Sequence, residues 1–305
     1  MRGMAVMRKA TWLAAVALLC SPLVPPAFAY TAAGDRIFPA LMQLPQIAPG
    51  DEFYLNYTTL PLNPGASGGQ TRATDVTATY GKTITDSLGI FIEETYTGID
   101  RAGAGTLHGW QNLDGELKYN AINDLDHEFL FSLGLDRETG GTGATRVGAF
   151  PSGATTPRAY FGKGLGDLDI GYLRPLAIEG VFGSAFADTA PRPDLATAGF
   201  VIEYSIPYLQ SKVQSFDLPD WVRGMTPITE VVFTAPEGRS YGTLPTQLIA
   251  PGVSYSGQGW EFGVEALVPC NRATGRGIGV TAQLHFALDF LFADSVVGKP
   301  IFSSP

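Results

Sequence analysis

Cysteine is almost missing from this chain, with Cys20 and Cys270 the only two in 305 residues. Cys20 falls in the N-terminal leader described below, so Cys270 alone remains in the mature chain. That excludes an intramolecular disulfide and a cysteine-based metal site. Histidine is scarce too. His108, His127 and His285 are scattered, with no i+2 or i+4 pair of the kind that holds a metal. Charged residues make up 16% of the chain, and the acids outnumber the bases 29 to 20. Nucleic-acid binding requires basic surface to neutralise phosphates, so that class is set aside. Beyond the leader no apolar run approaches the roughly 20 residues of a membrane-spanning helix. Such a chain can cross a bilayer only as a closed barrel, because unpaired backbone groups cannot face lipid. Neither a cofactor nor a metal is expected.

Residues 1–29 read as a secretory signal. Arg2, Arg8 and Lys9 form a basic start, Ala10 to Cys20 an apolar stretch, and Ala27-Phe28-Ala29 a small-x-small cleavage site before Tyr30. Eleven apolar residues are too few to span a bilayer. Acylation at Cys20 is the alternative, disfavoured by Leu19 where a small residue would precede the cysteine. Cleavage leaves 17 bases against 29 acids, a net charge of −12.

The abundant signal is alternation with period two. From Gly277 to Phe290, Ile278, Val280, Ala282, Leu284, Phe286, Leu288 and Phe290 share one parity, and more polar or smaller residues share the other. Successive strand side chains point to opposite faces, so this reads as one β-strand. It exceeds the usual 5–6 residues and covers the roughly 9–11 needed to cross a bilayer. Twelve such segments recur: 52–60, 73–81, 86–97, 109–121, 126–136, 158–173, 176–186, 196–208, 226–236, 245–255, 258–268 and 277–290. The count is even, as a barrel with both ends on one side requires. The expected fold is all-β, a transmembrane antiparallel up-and-down β-barrel of about twelve strands. Loops 61–72, 98–108, 137–157, 187–195, 237–244 and 269–276 read as outer loops. The turns 82–85, 122–125, 174–175 and 256–257 read as inner ones, with 209–225 a long exception. The organisation expected is a signal at 1–29, a periplasmic segment or plug at 30–50, the barrel at 51–292 and a periplasmic tail at 293–305.

Charge assigns the faces. A basic residue facing lipid at midplane costs about 2–4 kcal/mol, and an acid less, so the polar parity turns inward. The lumen-lining set expected is Asp114, Glu116, Lys118, Asp167, Asp169, Glu179, Glu203, Glu261, Glu265, Gln283, His285 and Asp289, with Lys163 also inward. Of the adjacent pair Glu93 and Glu94, the pattern places Glu94 outward. Tyr96, Trp110, Tyr119, Tyr172, Tyr208 and Trp260 fall near strand ends, as interfacial girdles do. Alternation by itself also fits a soluble sandwich. Strand length, loop asymmetry and the export signal together favour the outer membrane.

Several stretches carry a resemblance. Asn112 to Gly140, Gly164 to Tyr172, Ile206 to Leu209, Leu218 to Val222, Trp260 to Arg272, Gly275 to His285 and Leu288 to Phe302 together cover much of the mature chain. They resemble outer-membrane β-barrels of the meta-pathway phenol-degradation type, often called transporters. The resemblance implies a barrel, the outer membrane and transport of hydrophobic or aromatic solutes. It carries no motif of functional residues, and Cys270 departs from it.

Other motifs weaken on inspection. Gly65 to Gly69 matches G-x-S-x-G, but no helix follows to make a nucleophile elbow. The glycine runs at 162–166 and 275–279 open no helix and are not nucleotide loops. Asn56-Tyr57-Thr58 is a sequon by letters alone. His285 could serve as a base with Ser205, Glu203, Gln283 or Asp289, which keeps a lipid or ester hydrolase as an alternative. A non-conducting structural barrel is another. The inward acids suggest a lumen that favours cations or hydroxyl-bearing solutes. The reading expected is a monomeric, non-enzymatic channel for small solutes, with loop 137–157 as its lid or constriction. Its partners would be outer-membrane lipid, the solute and the barrel-assembly machinery during insertion.

Overall fold

The computed structural model describes residues 31–62 and 71–302. The leader and the Gly65–Gly69 motif lie outside the described residues. Thirteen strands form one antiparallel sheet: β1 (Glu52–Leu62), β2 (Thr71–Thr85), β3 (Leu88–Arg101), β4 (Gly105–Trp110), β5 (Leu113–Asp124), β6 (Phe129–Thr139), β7 (Ala154–Gly164), β8 (Leu176–Ala187), β9 (Asp194–Tyr204), β10 (Met225–Glu237), β11 (Thr246–Ser256), β12 (Trp260–Pro269) and β13 (Gly279–Ala287). β13 pairs back onto β1, from Val280 opposite Thr59 to Ala287 opposite Glu52, and this closes the cylinder. β4 pairs with one half of β3 and β5 with the other, so the two form a single stave interrupted at Gln111 and Asn112. The barrel therefore has the twelve staves that the alternation predicts. One end carries the start of β1 and the end of β13, here the terminal rim. The opposite end is the loop rim.

The faces are inverted relative to a protein dissolved in water. Phe262 is 46% exposed, whereas its neighbour Glu261 is 2% and Glu265 1% exposed. Phe200, Ile202, Ile92, Leu117 and Leu133 are likewise exposed on the outside. A continuous apolar belt of this kind marks surface that meets something other than water. The inversion rules out the soluble sandwich, in which Phe262 would be internal. Replacing Phe200 with Arg should cost about 2–4 kcal/mol of stability in lipid vesicles, read by urea unfolding, while Phe200→Leu should be nearly neutral. Equal stability of the two variants would contradict the lipid-facing assignment.

Inside, the segment from Thr31 to Gly50 runs against the inward faces. A two-residue ladder pairs Ala32–Ala33 with Arg36–Ile37 around Gly34, whose φ is 62°. Pro39, Pro45 and Pro49 lack the N–H that a ladder requires, so the rest does not add a strand. Phe38, Leu41, Met42, Leu44 and Ile47 are buried and form one cluster with Leu130, Tyr160, Val181, Val201 and Ile228 of the barrel wall. Inward glycines make the room. A β-carbon on Gly199 would sit 2.3 Å from Leu44, and one on Gly263 would sit 2.7 Å from Met42.

Several boundaries differ from the sequence reading. β7 ends at Gly164, so Asp167 and Asp169 are not lumen residues. They are exposed in the loop 165–175, where Asp167 pairs with Lys163 at 2.8 Å. Lys163 itself lies on the outward parity. Its alternating neighbours continue past the strand, but the ladder to β6 ends at Phe129 opposite Lys163, and Leu165 donates instead to the Leu176 carbonyl at 2.9 Å. Likewise β13 ends at Ala287, and Leu288–Leu291 forms a helical turn that carries Asp289 to the terminal rim. The stretch 98–108 is mainly strand, with only residues 102–104 between β3 and β4. The inner turn at 174–175 becomes the longer loop 165–175. Tyr208 does not belong to a girdle: it is buried on the short helix Ile206–Tyr208.

Candidate functional site

Above the internal segment, on its loop-rim side, lies a cavity of about 340 Å³. Leu41, Met42, Gln43, Leu44, Pro45 and Gln46 make its floor. One wall is rich in threonine, with Asp75 and Glu93 set among the hydroxyls, and comes from alternate residues of β1, β2, β3 and β13. Thr58 and Thr281 share a hydrogen bond at 2.8 Å, as do Thr77 and Thr95. The Thr79 hydroxyl donates to Glu93 at 2.8 Å, and that of Thr97 to Asp75 at 2.6 Å. The opposite wall carries both cations of the cavity, with three further acids. Arg158 reaches Asp136 at 3.2 Å and Glu116 at 3.5 Å, and Lys118 lies 3.3 Å from Glu116. Asp75, Glu93, Asp114, Glu116 and Asp136 thus face only Lys118 and Arg158 in this cavity. The Lys118 ammonium is spent locally. It donates to the Gln46 carbonyl and sits 4.3 Å and 4.5 Å over the rings of Tyr160 and Phe91.

A second cavity of about 290 Å³ shares Glu93, Thr95 and Asp114 with the first and extends it towards the loop rim. Loop 140–153 covers it. Asn112, at the break between β4 and β5, donates to Glu138 at 2.6 Å and to the Phe150 carbonyl at 2.8 Å, and accepts from Gly143 at 2.9 Å. The interruption in the stave is what frees Asn112 to hold this loop. Arg192 ties the other side, pairing with Glu138 and donating to the Ser152 carbonyl at 2.7 Å.

Below the floor the inward carboxylates grip the internal segment. Glu230 accepts from the backbone N–H groups of Met42 at 2.6 Å and Gln43 at 3.1 Å, and Glu261 from that of Ala40 at 3.0 Å. Gln283 donates to the Leu41 carbonyl at 2.7 Å. Arg36 anchors the start of the segment while fully buried. It lies 3.3 Å from Glu128 and 4.0 Å from Glu203, and donates to the Pro175 carbonyl at 3.0 Å. Its guanidinium stacks 4.1 Å over the Tyr208 ring. Burial and the bond to Glu128 push the Tyr208 hydroxyl up to about 12. At the far end of the segment, Asp51 holds Lys82 at 2.7 Å and the Thr83 hydroxyl at 2.6 Å. Burial, then the charge of Glu52, pushes the Asp289 carboxyl up to about 6.

Of the expected set, Glu116 and Lys118 line the main cavity, with Asp114 beside them. Glu179, Glu203, Glu261, Glu265, Gln283 and His285 are buried inside the barrel, and all but Gln283 lie outside the cavity lining. Asp289 sits at the rim. His285 stacks on Tyr54 at 4.5 Å and lies 3.1 Å from Glu52. The residues weighed as its hydrolase partners are engaged with the internal segment or the rim: Ser205 caps the Tyr208 N–H at 3.2 Å. Asp75, Glu93, Asp136, Glu230 and Arg158 were not in the expected set. Their signal was present, since Asp75, Thr77 and Thr79 alternate with Val76, Ala78 and Tyr80. The same parity turns Glu93 inward and Glu94 outward.

No family model matches the sequence. No curated protein matches it either. Among solved structures, the chain is similar to an outer-membrane channel from Pseudomonas putida F1, at 10% identity and a TM-score of 0.52, over 82% of this chain and 99% of that one. It is also similar to the NanC porin, at 8% identity and 0.48, over 77% and 98%. The KdgM porin in complex with disordered oligogalacturonate follows at 11% identity and 0.46, again over 77% and 98%. At such identities the likeness is one of fold. The chain has the fold of an outer-membrane β-barrel, and its apolar belt and polar interior suit that membrane.

Proposed function

We propose that the chain is a passive channel for small neutral or cationic solutes, gated by its own N-terminal segment. The observation that carries this is the polar cavity between loop 140–153 and the segment 31–50, where five carboxylates face two cations. Carboxylates lining a conduit favour cations and disfavour anions. The threonine wall offers hydroxyl partners on the other side. Hydroxylated aromatics, which the resemblance to phenol-degradation barrels suggests, fall within this class. The terminal rim faces the periplasm in this reading, and the segment 31–50 acts as a plug in the half of the lumen nearest it.

Selectivity provides the test. In planar bilayers with a salt gradient, the reversal potential should show cation preference. Replacing Glu93 with Gln and Asp114 with Asn should shift that potential towards zero. Both residues border both cavities and neither has a cationic partner within ion-pair distance among the described residues. An unchanged reversal potential in the double variant, with current still flowing, would remove the role given to these acids. No current from verified inserted protein would remove the channel reading itself.

A further inference from the structure

The arginines of the loop rim divide into two groups. On the β6 to β10 side three have a carboxylate, and Arg146 of loop 140–153 donates to the His108 carbonyl instead. Arg137 pairs with Asp188 at 2.6 Å, Arg239 with Asp194 at 2.8 Å, and Arg192 with Glu138. On the side of β1, β2, β3 and β13 the arrangement is different. Arg72, Arg101 and Arg276 border a cleft of about 840 Å³, and Arg272 lies in the cleft next to it, which Arg276 also lines. Among the described residues none of these four forms an ion pair. Arg72 reaches the Thr59 hydroxyl at 3.2 Å. Asp100, the acid in the cleft wall, takes the Thr106 hydroxyl. A chain with an excess of acids thus gathers several guanidinium groups around one cleft whose wall carries one acid, Asp100, opposite Arg72 in the ladder.

We infer that this cleft binds a phosphate group, carried by a lipid headgroup or free in solution. The guanidinium fork matches phosphate oxygens two at a time, and charge-assisted bonds of this kind are about twice as strong as neutral ones. Position also matters. Arg72 shares its outward parity with Val76 and Tyr80, which are exposed on the apolar belt. A headgroup at the edge of the bilayer would meet Arg72 from the lipid side and Arg101 and Arg276 from above. This site is separate from the lumen and does not rest on the channel reading.

The test uses the folded mature barrel in non-ionic detergent. Native mass spectrometry would follow binding of a short-chain phosphatidic acid and of the diacylglycerol with the same chains. Calorimetry with inorganic phosphate would probe the free anion. One phosphatidic acid per barrel is expected, bound about tenfold more weakly by the R72Q/R101Q/R276Q variant and equally by R239Q. Diacylglycerol should bind no better than background. Phosphate binding lost in the same triple variant would support the site with a free anion as its source. Equal phosphatidic acid binding by wild type and triple variant, or equal binding of both lipids, would overturn the inference. If the triple variant fails to show heat-modifiable migration, R276Q alone should still weaken binding about threefold.

Discussion

Deleting residues 31–49 should raise single-channel conductance several-fold while leaving the barrel folded. Every stave finds its hydrogen-bonding partners in its neighbours, and closure runs through β13 and β1, so the cylinder does not depend on the plug for its ladder. What the plug supplies is filling. It buries Phe38, Leu41, Met42, Leu44 and Ile47 against the wall, and without them the inward carboxylates would be hydrated. A barrel of eight strands is filled by its own side chains, and sixteen or more leave an aqueous pore. Twelve staves lie between these, so in the channel reading one segment of about twenty residues is expected to make the difference between closed and conducting. Wild-type current from the deletion variant, with its heat-modifiable band intact, would show that the block lies elsewhere, with loop 140–153 the next candidate.

Replacing Arg36 with Met should release the plug without removing it. The side chain is 0% exposed and stands between Glu128 and Glu203. Taking away one partner of a buried ion pair costs about 3–5 kcal/mol, because the remaining charge stays buried and uncompensated. Here the strain has a local outlet, since the segment can detach from the terminal rim while the staves remain paired. The expected result is faster proteolysis within residues 31–50 and frequent openings in bilayer recordings. Adding Glu128→Gln removes one stranded carboxylate and should restore part of the protection. An R36M protein as resistant and as quiet as wild type would mean that Arg36 is not the anchor.

The barrel was legible because lipid outside and water inside impose period two on every stave, and β12 and β13 show it plainly. Alternation says nothing, however, about where a ladder loses its partner. Leu168, Ile170 and Tyr172 keep the rhythm beyond Gly164 because they are exposed apolar residues at the rim, and Asp167 and Asp169 were carried inward with them. The Asn112 break leaves a faint trace, since Trp110 and Leu113 are both outward although three residues apart, a slip easily absorbed into one strand spanning 109–121. Residues 30–50 left tail and plug equally open, since apolar residues among prolines suit either. Only the inward glycines Gly199 and Gly263 hinted at an occupant, and a missing side chain does not say what fills the space. Asp75 is hard to single out because the inward parity of β2 is mostly threonine, and Asp136 because its inward neighbours on β6 include Leu130 and Gly134.

The seam between β13 and β1 has a consequence for biogenesis. The two ends of the tube wall meet where residue 287 pairs with residue 52, a contact that spans all the intervening hairpins. Pairings so distant along the polypeptide are slow to nucleate. Because the stretch just upstream of residue 52 is the one enclosed, the seam that closes the tube lies directly beside its occupant, and a late-forming seam would leave that stretch time to enter first.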